Sequence, residues 1–173
     1  MSIWASLDTS SRYLAPKLLA VSLVVLGFVP LHIPVISHFI PLVDIIVIYY
    51  WTIYRPDMMP HWFVFLLGVL QDIFLGFPIG ISAFINLIFW MVLITQRRLF
   101  MKEPFVIIWV VFLVFSFGVA LLKWAVMMVF MQEFVVPDIV ALQWLLTVAL
   151  YPLIHGISNI LYTLLPDQPY GNA

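Results

Sequence analysis

Three ionisable side chains, Asp44, Asp72 and Lys123, stand inside or at the ends of otherwise apolar stretches. A charge at mid-bilayer costs about 2.5–3.5 kcal/mol on insertion scales, so each needs a partner, water, or a neutral form. Two arrangements satisfy this. Either the aspartates are wetted near an interface and Lys123 snorkels toward it, or Lys123 pairs in the interior with Asp72 or Asp44. A second polar set, Gln143, Thr147, Tyr151, His155, Asn159 and Thr163, is spaced by four. Four residues overshoot one helical turn by about 40°, so the set winds around a helix and only neighbours share a face. Tyr151, His155 and Asn159 are its useful core. Such groups bond between helices for about 0.6–2 kcal/mol each, which fits interhelical glue better than a proton or solute path, and Asn86 belongs to the same class. Pro152 and Gly156 predict a bend there and a carbonyl freed near Val148.

Gly68, Asp72 and Gly76 also recur every fourth residue. Two missing side chains on one face let another backbone come close, either within this chain or from a partner or ligand. Ser158 and His155 have the types of a nucleophile and base, yet three residues apart on one helix they are a packing coincidence more often than a dyad, and no nucleophile elbow accompanies them. With no cysteine and four scattered histidines, thiol chemistry is excluded and a metal centre disfavoured. The reading is no enzyme, no cofactor and no nucleic-acid surface.

The elements that position these residues follow from composition. Of 173 residues, 65% are hydrophobic and 9% charged, against about 25% charged in a soluble domain. The surroundings must be lipid. Unbroken apolar runs favour helices over the alternating strands of a barrel, and the chain reads as one polytopic domain, an all-α bundle of six membrane spans. Their limits are about 17–36, 42–54, 61–75, 79–95, 104–131 and 139–165. The first resembles a signal peptide, but no small-x-small site follows it, so it is expected to remain as a span.

Six of the seven basic residues fall in the segments before span one, after span two and after span four, with Arg97, Arg98 and Lys102 in the most charged loop. That asymmetry predicts both termini in the cytoplasm. Tyr49, Tyr50, Trp51, Tyr54 and Trp144 read as aromatic belts at the membrane surfaces.

The string Leu67-Gly68-Val69-Leu70-Gln71-Asp72-Ile73-Phe74-Leu75-Gly76-Phe77-Pro78-Ile79-Gly80 resembles the signature of the rod shape-determining protein MreD family, in which a glycine and aspartate on one span lead into a Gly-x-Pro-apolar-Gly turn. Isoleucine stands at position 79, where leucine is commoner. The resemblance extends loosely over nearly the whole chain. It implies a bacterial inner-membrane, multi-pass, non-enzymatic subunit of the cell-elongation machinery that controls shape and lateral peptidoglycan synthesis. The implied partners are MreC, a single-span periplasmic protein, and, directly or indirectly, MreB filaments, a wall glycosyltransferase and a penicillin-binding transpeptidase. Gly68, Asp72 and Gly76 would seat the partner's span, with Phe77, Pro78 and Gly80 forming a rigid outer turn. The family is also similar in fold to substrate-binding subunits of energy-coupling-factor transporters. That suggests an alternative function, a vitamin-type carrier with a pocket lined by Asn86, Trp124 and His155.

Overall fold

The computed structural model describes residues 18, 21–22, 41–131 and 137–164. Five helices run through them: α1 (Val43–Tyr54), α2 (His61–Leu75), α3 (Ile81–Phe100), α4 (Phe105–Met131) and α5 (Pro137–Leu164), with a single 3-10 turn at Pro56–Met58. Each of the expected spans two to six overlaps one of them. The expected first span, 17–36, lies outside the described residues except for Leu18, Val21 and Ser22. Among the described residues three helices, α3, α4 and α5, are long and apolar enough to cross a membrane. At ~1.5 Å per residue, α1 and α2 are shorter than the ~30 Å hydrocarbon layer.

Proline and glycine set the boundaries. Pro60 precedes α2 with extended backbone, and Gly76, at φ 69°, ends it in the left-handed conformation. Gly80, at φ 110°, stands at the entry to α3, so that helix begins two residues later than the sequence suggested. Pro137 opens α5 with Asp138 in its first turn, a favourable order because proline lacks only a donor that is unpaired there anyway and the carboxylate faces the positive helix end. One boundary differs more. Arg97 and Arg98, expected in a loop, form the last turn of α3, which runs to Phe100. Cations there oppose the partial negative charge of the terminal carbonyls, so the helix has no reason to stop at Thr95.

The shortest helix is the centre. Every residue of α1 from Val43 to Ile53 is buried, and α3 and α5 flank it. This overturns the aromatic-belt reading of its far end: Tyr49 and Trp51 are 0% exposed and Tyr50 1%. They are enclosed because the surrounding helices cover all sides of α1. Tyr49 donates its hydroxyl to the Ile108 carbonyl at 2.9 Å and packs edge-on against Phe112 and Tyr151. Trp144 likewise points inward, its indole N–H donating to Ser116 Oγ of α4 at 3.1 Å.

Conversely, the outer faces of α2 to α5 display Phe65, Phe84, Met91, Val114, Leu145 and Leu153. An apolar exterior around a core holding ionisable groups suits lipid and not water. Pro152 lies inside α5. The carbonyl it leaves without a helical donor, that of Val148, accepts the Trp109 indole N–H of α4 at 3.3 Å.

Candidate functional site

The glycine–aspartate string forms the hinge between α2 and α3. Asp72 works with both its backbone and its side chain. Its carbonyl accepts the Phe77 N–H at 2.9 Å, the six-to-one bond of a Schellman ending, which the positive φ of Gly76 permits. Its carboxylate crosses the turn and accepts the backbone N–H groups of Gly80 at 2.8 Å and Ser82 at 3.0 and 3.2 Å. Gly80 has no side chain with which to cap α3. Asp72, 0% exposed, supplies that cap from the preceding helix, where a carboxylate also meets the positive end of the helix dipole. One residue therefore ends α2 and starts α3.

Gly68 explains why the two helices lie so close. A Cβ built on it would come 2.3 Å from Ala83 Cα and 2.5 Å from Ala83 N. The α3 backbone occupies the notch, so the close approach is made within this chain. Gly68 and Asp72 do not form an open face for a partner's span, because α3 covers them. What remains at the surface is the turn itself: Gly76, Pro78 and Ile79 are exposed, and Phe77 and Gly80 half-buried.

A second polar centre joins four helices. Lys123 of α4 contacts Asp44 Oδ2 of α1 at 3.3 Å and donates to Gln71 Oε1 of α2 at 2.8 Å. Asn86 of α3 donates its amide to the same Asp44 oxygen at 3.0 Å. Asp44 is 2% exposed and the lysine side chain 11%. Lys123 therefore pairs with Asp44, and its extended chain bridges inward instead of snorkelling. Asp72 is already committed to the α3 start. Asp44 Oδ1 and Asn86 Oδ1 are buried with no hydrogen-bond partner among the described residues. The sequence reading missed Gln71, although a lone amide one residue from Asp72 in an apolar helix was a usable signal. It also missed Ser82 and Ala83, a small pair opposite Gly68.

The third expected group behaves differently. Tyr151 and His155 are brought together, but in an aromatic cluster and not by hydrogen bonds. His155 packs edge-on against Tyr50 and Phe105 at 5.1 and 4.9 Å, and Tyr151 stacks on Phe112 at 4.4 Å. The Tyr151 hydroxyl, His155 Nδ1 and Ser158 Oγ are all buried without a hydrogen-bond partner among the described residues. Interhelical hydrogen bonding through Tyr151, His155 and Asn159 is thus replaced by ring packing, and Asn159 is exposed on the outer face. From the same polar row, Thr147 accepts the Leu42 N–H at 3.0 Å and so anchors the start of α1.

A shared pocket for Asn86, Trp124 and His155 is not formed. Asn86 meets Asp44, whereas His155 meets Tyr50 and Tyr54, six and ten residues further along α1, about 9–15 Å along its axis. Trp124 instead lines an apolar cleft between α4 and α5 with Phe117, Val140 and Trp144. Among the described residues no cluster of three or more His, Asp or Glu side chains is placed to hold a metal ion.

Comparison with protein families matches residues 9–160 to the model described as rod shape-determining protein MreD. No curated protein matches the chain. No solved structure matches it either.

Proposed function

The chain belongs to the rod shape-determining protein MreD family, and from that premise we propose that it is a non-enzymatic scaffold subunit of the bacterial cell-elongation complex, which binds MreC through its α2–α3 turn. Membership implies a role in determining rod shape, and the long apolar helices make it a membrane protein. The finer reading is that it lies in the inner membrane as a multi-pass protein with both termini in the cytoplasm. There it contributes to lateral peptidoglycan synthesis by holding MreC. Through MreC or directly it reaches MreB, the wall glycosyltransferase and the penicillin-binding transpeptidase.

One observation carries the choice of surface. Within the string that resembles the family signature, Gly68 and Asp72 are covered by α3, while the turn from Gly76 to Gly80 projects with Ile79 73% exposed. The buried members fix the shape of the turn, and the exposed members are free to contact a partner. A stiff turn loses little conformational entropy on binding, which favours a scaffold. The carrier alternative has no such support, since its three lining residues lie apart.

A photoreactive amino acid placed at Ile79 should capture MreC in membranes, while the same group on the exposed α5 positions Leu153 or Ile160 should not. Capture from α5 with none from Ile79 would move the interface and sink this assignment.

A further inference from the structure

At the end of the bundle opposite the α2–α3 turn, the last turns of α1, α3 and α5 enclose a polar cavity of about 240 Å³. Its walls include Tyr54, Arg55, Asp57, Arg97, Met101 and Tyr162. The space is far larger than a single water needs, and its chemistry is selective. Two guanidinium groups and one carboxylate leave one formal positive charge in excess.

Arg55 is 5% exposed, held with its guanidinium 5.2 Å from the centre of the Tyr162 ring. A guanidinium over an aromatic ring gains a cation–π attraction, and guanidinium donors suit the oxygens of a phosphate. Arg97 approaches from α3. The rim is apolar at Met101, which is 51% exposed. A charged floor, phenolic walls and an apolar lip, all at the ends of membrane helices, match a molecule with an anionic head and acyl chains.

We propose that this cavity binds the phosphodiester headgroup of an anionic phospholipid. Arg97 faces the phosphate, Arg55 lies behind it against Tyr162, and the chains run along Met101. A phosphodiester carries one negative charge, which balances the excess of the lining. Free inorganic phosphate shares the headgroup's chemistry but would make no use of the apolar lip.

The test uses the full-length protein in nanodiscs of phosphatidylcholine with and without phosphatidylglycerol, with retained lipid counted by native mass spectrometry after gentle extraction. The wild type should retain phosphatidylglycerol over phosphatidylcholine. Arg97→Gln should lower that preference about fivefold, the effect of one cationic side chain on an anionic lipid. Arg98→Gln removes the same charge from an exposed neighbour that does not line the cavity, and should leave the preference unchanged. If Arg97→Gln fails to fold, Met101→Glu serves instead, because it adds an anion at an exposed rim position and should expel the same lipid. Equal loss from Arg97→Gln and Arg98→Gln would mean diffuse attraction and overturn the site. So would wild-type indifference between the two lipids, or saturation of the protein by inorganic phosphate alone.

Discussion

Lys123 and Asp44 share a contact that neither can lose alone. Removing one member of a buried pair strands the other, at a cost of about 3–5 kcal/mol. Lys123→Met should therefore sharply reduce the fraction folded in detergent. Combining it with Asp44→Asn should recover much of the loss, because no charge is then stranded and an amide still meets Asn86. Unfolding equilibria of the two single variants and the double variant measure the coupling. Strict additivity would show that the 3.3 Å contact carries no energy. That a lysine in an apolar run needs compensation was legible in the sequence. Which aspartate supplies it was not, because the answer depends on how α4 is rotated against α1 and on Asp72 being engaged elsewhere.

At the scale of the element, the α2–α3 hinge separates the roles of charge and of hydrogen-bond acceptance in Asp72. Asp72→Ala takes the acceptor from the Gly80 and Ser82 N–H groups at the start of α3, and loss of a cap costs about 0.5–2 kcal/mol even where water can substitute. Asp72→Asn keeps one side-chain acceptor and should fall between alanine and the wild type. Thermal unfolding of the three proteins gives the order, and an asparagine variant as damaged as alanine would contradict a capping role. At Gly76, φ 69° makes any L-residue strained although the surrounding space is open. Gly76→Asn should accordingly be milder than Gly76→Val, since asparagine tolerates the left-handed region better than a β-branched residue.

Helix limits were readable because proline and glycine act locally. Pro60 and Gly76 constrain their own backbone whatever packs nearby. The aromatic residues of α1 were misread for the opposite reason. Tyr49, Tyr50 and Trp51 have the composition of an interface belt, and it is the helices packed around them, α3, α4 and α5 among them, that make them core. Likewise the glycines of the signature string announced close packing without saying whose backbone comes close. Ala83 lies fifteen residues beyond Gly68, on the next helix.

For the whole molecule, rigidity belongs to the interior and, on the proposed function, recognition to the turn. The Asp44 centre ties α1 through α4, the Asp72 cap fixes the hinge, and Thr147 pins the start of α1 to α5. Substitutions at these places should lower the amount of folded protein, and with it the number of rod-shaped cells, without changing how well each surviving molecule binds MreC. Substitution of the exposed Ile79 side chain on the projecting turn should do the reverse.

The most direct test is the ratio of co-purified MreC to folded protein for Gly68→Val and Ile79→Lys. A side chain at Gly68 collides with the α3 backbone, so Gly68→Val should reduce folded protein severalfold, by an overpacking cost of at least about 1–3 kcal/mol, while the ratio stays near that of the wild type. Ile79→Lys should leave the folded amount unchanged and lower the ratio severalfold. A Gly68→Val protein that folds normally but no longer holds MreC would contradict the account, because it would place the partner in the notch that Ala83 fills.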